Sequence, residues 1–129
     1  MYVETSAIVA VLIGEPDGPE FLSRIEGSPA PFTSIVSKVE AALAIGKAMG
    51  DFERSTEMVD AFLSQLSVRI DPVTPDFYRA IMLAAVRYGK GTGHPAKLNF
   101  GDCFSYAMAK RAGVSLLYKG NDFSQTDLA

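Results

Sequence analysis

Apolar residues fall in short blocks along this chain, separated by glycine, proline and charged residues, and the spacing inside each block predicts its shape. YVETSAIVAVLIG opens with a short strand over residues 2–3; Thr5 or Ser6 then caps a helix that Gly14 and Pro16 stop. A second helix is expected over residues 19–25 and a short strand over 30–33. SIVSKVEAALAIGKAMG, residues 34–50, reads as a helix, because Val36, Val39, Leu43 and Met49 lie near a 3.6-residue period and Gly50 suits its end. DFERSTEMVDAFLSQL, residues 51–66, is a further helix with Asp51 as its cap and Met58, Phe62 and Leu66 four residues apart. SVRIDPV, residues 67–73, reads as a strand ended by Pro72. Thr74 and Pro75 then start a helix that runs to Gly89. GKGTGHPAK is loop by composition. Residues 102–112 are helical, with Lys110 and Arg111 in the last turn and Gly113 as the terminator; VSLLYKG is the last clear strand.

Strands that alternate with helices imply an α/β fold, here an α/β/α sandwich with a mostly parallel central sheet and an unusually helix-rich middle. A chain of 129 residues fits one domain, 1–129, and its 48 % apolar and 21 % charged composition suits a packed core. No apolar run approaches the roughly 18 residues of a membrane span. The N-terminus carries Glu4 and no basic segment ahead of its apolar run, which argues against a secretory signal. One cysteine, Cys103, cannot form an internal disulfide, so a reducing cytoplasm is the expected home. One histidine, His94, beside one cysteine excludes a zinc site of the usual Cys/His kind. His94 is read as a loop residue and Cys103 as core.

The chemistry then rests on carboxylates. LNFGDCFSYAMAK sets Asp102 among Phe100, Cys103, Phe104 and Tyr106, a setting where an ionised Asp needs a partner or a cation. Asp102 is either a helix cap set against the core or a functional acid. Glu4 follows the first strand, where it either answers the helix dipole or sits at the ligand-binding edge of a parallel sheet. Glu40 lies mid-helix between Val36 and Leu43, either facing solvent or on the boundary of the core. Asp122 follows the last strand in the turn GNDF, and Asp127 is a weaker candidate of the same kind. If the strands are neighbours, Glu4, Glu40, Asp102 and Asp122 meet at one edge. Four carboxylates that close cannot all stay ionised without compensation, and all-oxygen ligands select hard cations such as Mg²⁺ or Mn²⁺. A phosphoryl-receiver domain also gathers acids at a sheet edge, but it needs paired acids after the first strand, and a single acid follows Val3.

These segments resemble a known family. ETSAIVAVLIGEP, SKVEAALAI, HPAKLNFGDCFSYAMAK and LLYKGNDFSQTDL together are similar to PIN-domain ribonucleases, specifically VapC-type toxins of toxin–antitoxin pairs, over essentially the whole chain. The resemblance implies metal-dependent cleavage of RNA phosphodiesters, with Glu4, Glu40, Asp102 and Asp122 as catalytic metal ligands. Thr5, Ser6, Asn121 and Lys119 would help position substrate or a bound water. The fourth acid maps best to Asp122, although the family shows either Asn or Asp where Asn121 stands. The family opens D-[ST]-[SA], whereas this chain has Glu4, one methylene longer. That departure supports an alternative, a catalytically weak PIN-like module that binds RNA or protein.

The resemblance also implies a cognate antitoxin whose tail lies in a groove and inhibits the site, and a homodimer. Apolar helix positions such as Phe52, Met58 and Phe62 suit either such a partner or the core. Net charge is −3, which argues against a nucleic-acid partner. With the four candidate ligands set aside, however, 11 acids remain against 12 Lys and Arg. Lys90, Lys97, Lys110, Arg111 and Lys119 then form a candidate RNA path.

Overall fold

The computed structural model describes residues 1–128. Four short strands, β1 (Tyr2–Val3), β2 (Phe32–Ser34), β3 (Arg69–Asp71) and β4 (Leu116–Leu117), form one parallel sheet in the order β3-β2-β1-β4. Tyr2 pairs with Phe32 on one side and Leu116 on the other, so β1 is central. The helices are α1 (Thr5–Ile13), α2 (Gly18–Glu26), α3 (Ile35–Met49), α4 (Phe52–Gln65), α5 (Tyr78–Tyr88) and α6 (Phe100–Ala112). The expected α/β/α sandwich is therefore present, with a sheet that is parallel throughout.

Period-2 alternation splits the core into two layers. Tyr2, Phe32 and Leu116 point into a cluster with Phe77, Ala84 and Tyr88 and with Cys103, Tyr106 and Met108 of α6. Val3 and Leu117 point the other way, into a cluster with Ala7 and Ile8, Phe21 and Ile25, Ala41 and Ile45, and Val59 and Phe62. Phe62 and Cys103 are thus core residues, while Met58 is half-buried and Phe52 is exposed.

Several boundaries differ from the sequence reading for local reasons. The strand expected over 30–33 begins at Phe32, because Pro31 has no N–H to give a ladder; its carbonyl accepts from Arg69 N–H instead. The strand expected over 67–73 shrinks to Arg69–Asp71, since Ser67 turns into the left-handed region at φ 53°. VSLLYKG contributes only Leu116–Leu117 to the sheet. Thr74 and Pro75 open a 3-10 turn, Pro75–Phe77, which feeds α5. The α1 cap is Glu4 rather than Thr5 or Ser6, and α6 starts two residues before Asp102 with Asn99 as its cap.

Helix α3 holds a larger surprise. Its buried residues are Ser37, Ala41, Ile45 and Gly46, whereas Val39, Leu43 and Met49 are exposed. Apart from Ile45 the inner face is built of small residues, and where α4 packs closest only glycine fits: a Cβ on Gly46 would overlap the Phe52 ring and Ser55 Oγ. Ser55 itself donates to the Ala42 carbonyl at 2.8 Å, stitching α4 to α3.

Between α3 and α6 the contact is polar. The Tyr2 hydroxyl lies 2.8 Å from Ser34 Oγ and 2.7 Å from Ser37 Oγ, and Ser37 Oγ lies 3.2 Å from Ser105 Oγ. These four hydroxyls are fully buried and satisfy one another. Tyr2→Phe removes the shared partner. The expected cost is about 1–3 kcal/mol in urea unfolding, with an unchanged denaturant slope. A loss below about 0.5 kcal/mol would show that the serines satisfy themselves without Tyr2.

Candidate active site

In a parallel sheet, helices that follow strands start at the strands' C-terminal edge. Glu4 directly follows β1, Glu40 lies in the second turn of α3 after β2, and Asp122 lies five residues beyond β4. Helix α6 runs back along the sheet into β4, so its first turn and Asp102 reach the same edge. Glu4, Glu40, Asp102 and Asp122 line one cleft of about 250 Å³, together with Thr5, Ser6, Val9, Asn99, Lys119 and Phe123. The fold thus gathers all four carboxylates expected from the sequence.

Local capping explains two of them. Glu4 has extended backbone, and its Oε2 accepts from Ser6 N–H at 2.7 Å and from Ser6 Oγ at 2.5 Å. Its extra methylene does not carry it out of the cleft. Asp102 is the third residue of α6 and forms a reciprocal capping box: its Oδ2 accepts from Asn99 N–H at 3.0 Å, while Asn99 Oδ1 accepts from Asp102 N–H at 2.9 Å. The capping and the functional readings of Asp102 are therefore both satisfied by one side chain.

Hydroxyl groups orient the acids. Thr5 Oγ1 donates to Glu40 Oε1 at 3.2 Å. Ser6 Oγ, while donating to Glu4, accepts from Lys119 N–H at 2.8 Å. Ser6 thereby ties Glu4 to the segment that carries Asp122. The Lys119 ammonium is turned to Glu15 and to Asp17, 3.1 Å away for the latter. Asp122 lines the cleft and Asn121 is not among its walls. Asp127 lies apart, beside the second half of α6, where it accepts from Tyr106 Oη at 2.5 Å and Lys110 Nζ at 2.7 Å.

Electrostatics reflect the crowding. Burial, then the charges of Glu4, Asp122 and Glu40, push the Asp102 carboxyl up to about 7 against the pull of Asn99 N–H. Burial also raises Glu4, with Glu40 adding to the effect and the Ser6 hydrogen bonds opposing it. Both side chains are nearly inaccessible, Glu4 at 4 % and Asp102 at 7 %. The donor set fits a hard divalent cation: it is all oxygen and carries several carboxylates that lack a cationic partner in the cleft. As they stand, no three His, Cys, Asp or Glu side chains among the described residues are close enough to hold an ion. Glu4 and Asp102 are turned to their own backbone donors.

Of the cations expected along an RNA path, Lys110 pairs with Asp127, Arg111 with Asp76 and Lys119 with Glu15 and Asp17. Lys110 and Arg111 sit in the last turn of α6, the end away from Asp102. Lys90 and Lys97 form no ion pair among the described residues and flank the strand-like bridge that leads to Asn99. His94 is a loop residue, as expected, stacked edge-on against Tyr88. Sequence reasoning missed Asn99, although the spacing Asn99-x-x-Asp102 is itself a capping-box signal. It also missed Gly101 and the Tyr2–Ser37–Ser105 support beneath the acids, which no local pattern announces.

The Asp102 carboxyl predicts a pH dependence. In chelator-treated protein the folded state keeps this proton to near pH 7, whereas the unfolded chain releases it near its ordinary 3.8. The folded state binds the proton more tightly, so stability falls as pH rises through that window and levels off above it. Asp102→Asn keeps an oxygen for Asn99 N–H and removes the loss. Its stability relative to the parent, measured by urea unfolding, should therefore grow between about pH 4 and pH 7, by at most about 4 kcal/mol, and then stay level. A difference that is flat or shrinks across this range would contradict the burial-dominated shift.

Comparison with known proteins agrees with this geometry. A family model described as PIN domain matches residues 1–128. Ribonuclease VapC of Mycolicibacterium smegmatis is 42 % identical over 129 residues, covering 100 % of this chain and 98 % of the relative. A VapC ribonuclease of Rhizobium meliloti is 41 % identical, covering 98 % of each chain. Among solved structures, the sarcin–ricin loop cleaving toxin VapC20 of Mycobacterium tuberculosis superposes with a TM-score of 0.79 at 20 % identity, covering 99 % of this chain and 95 % of that one. A toxin–antitoxin complex from Klebsiella pneumoniae matches at a TM-score of 0.68 and 15 % identity, covering 95 % and 89 %. With its parallel sheet, its acidic cleft at the C-terminal edge and its full-length relatives, this chain belongs to the PIN-domain family, among the VapC ribonucleases.

Proposed function

We propose that this chain is a ribonuclease toxin that hydrolyses RNA phosphodiester bonds with Mg²⁺ or Mn²⁺ held by Glu4, Glu40, Asp102 and Asp122. The observation that carries this reading is the convergence of four carboxylates, from four separate segments, in one cleft. When bound, the cation supplies an activated water and stabilises the leaving oxygen. The chain's own side chains do the rest. Ser6 and Thr5 hold Glu4 and Glu40 in place, and the Asn99 N–H orients the Asp102 carboxylate. Asp122 stands exposed at the mouth, where a phosphate would enter. Lys90 and Lys97, free of ion pairs among the described residues, supply positive charge for the RNA backbone.

The same reading includes a cognate antitoxin and a homodimer, acting in the cytoplasm. No helix of the described residues is long and apolar enough to cross a membrane. Helix α5 and the start of α6 expose Tyr78, Leu83, Val86 and Phe100, each at least 67 % accessible. We assign this face to a second copy. The groove between α3 and α4, lined by Ile35, Val39, Leu43 and Phe52, we assign to an apolar segment of the antitoxin. Nothing in the cleft favours the catalytically weak module, since Glu4 stays beside the other acids.

The test uses purified chain, free of antitoxin, with structured RNA and with or without Mn²⁺. Cleavage should require the metal and fall at least 100-fold in Asp102→Asn, about 3 kcal/mol of transition-state stabilisation. Cleavage that survives that change, or needs no metal, would overturn the mechanism. Glu4→Asp should raise Mn²⁺ affinity or turnover. A loss of both would mean that the Ser6 hydrogen bonds have adapted the site to the longer side chain. Light scattering should give twice the chain mass, reduced to one by Leu83→Asp with Val86→Asp; a monomeric parent would remove α5 from this role.

A further inference from the structure

Helix α6 carries a glycine in its first turn, Gly101, where every other residue but proline would form the helix more readily. Its φ is not in the left-handed region, so no backbone demand explains it. Nor does a turn or cap, since Asn99 is the cap. The explanation lies across the cleft. A Cβ built on Gly101 would fall 2.5 Å from Glu40 Cδ and closer still to both carboxylate oxygens. Nothing else stands among the three nearest atoms. The Glu40 carboxylate therefore rests directly on the bare backbone of the α6 first turn, with Thr5 Oγ1 donating to it from the other side.

We infer that Gly101 is a positioning residue: its missing side chain makes the seat that holds the Glu40 carboxylate among the site acids. The inference rests on the proposed cation site, and it names a determinant of that site that bears no functional group. The physics separates stability from function. The overlapping atoms belong to the far end of a flexible side chain, so a methyl at position 101 displaces Glu40 without disturbing the core. The helix meanwhile gains a residue of better propensity. Gly101→Ala should fold as well as the parent and lose the site's geometry.

Three measurements on the full chain decide this. Thermal unfolding of metal-free Gly101→Ala, followed by circular dichroism, should give a midpoint no more than about 3 °C below the parent. Its metal-free crystal structure should show the Glu40 carboxylate moved off residue 101 and away from Thr5 Oγ1, with the α6 backbone in place. Calorimetric titration with Mn²⁺ should show affinity reduced at least tenfold, in the range seen when groups that orient ligands are changed. The inference is overturned if Glu40 stays and α6 shifts instead, or if Mn²⁺ binds the variant as it binds the parent. A parent that binds no Mn²⁺ would overturn the cation site, and the role given to Gly101 with it. The crystal structure would then show separately whether the steric seat exists. Gly101→Ser, whose Cβ occupies the same space, should repeat the displacement; a Glu40 left in place there would also overturn the inference.

Discussion

Beneath the acidic cleft, the Tyr2 hydroxyl meets Ser34, Ser37 and, through Ser37, Ser105, in a space closed to water. Ser37 lies three residues before Glu40 on α3, and Ser105 three residues after Asp102 on α6. One set of buried hydrogen bonds therefore sets the distance between the two helices that carry these acids. Apolar packing alone would let α3 and α6 slide, because burial is non-directional. Hydrogen bonds between satisfied buried groups do not permit that without leaving a partner unpaired. The central strand is only two residues long, yet it delivers both Tyr2 to this network and Glu4 to the cleft above it.

Three of the four acids are stabilised by something other than the cation they are proposed to hold. Glu4 accepts from the first turn of α1 and Asp102 from the N-cap of α6, where partial positive charge from unpaired N–H groups offsets their own. Glu40 is held by Thr5 and by the space above Gly101. These local partners offset part of the repulsion within the cluster. Their cost shows in Asp102, whose proton affinity is raised by burial and by its three acidic neighbours. A cation entering the cleft would replace that proton and draw the carboxylates inward from their caps.

Much of the fold was legible because it rests on local rules. Helix ends at Gly14, Gly50 and Gly113 fall where the sequence puts them, each glycine adopting a positive φ that other residues resist. The apolar alternation in β1 sends Tyr2 and Val3 into opposite layers, as period-2 patterning requires. Helix α3 shows where such rules stop. Val39, Leu43 and Met49 face outward, while Ile45 faces in beside Ser37, Ala41 and Gly46. Periodicity identifies a helix and its stripes; which stripe is buried depends on how closely α4 and the central strand approach, which is a property of the whole assembly.

By itself, the sequence determined the order of strands and helices, the parallel sheet they imply, and the four carboxylates worth following. Those features depend on side-chain chemistry and spacing within single segments, and the family likeness is written in the same residues. Tertiary structure alone decided that Asp127 turns away to Tyr106 and Lys110, and that the Lys119 ammonium serves Glu15 and Asp17. It alone decided that a glycine would be needed under Glu40. Each of these is a contact between residues at least 15 positions apart in the chain, and such contacts are set by how layers pack, which no single segment encodes.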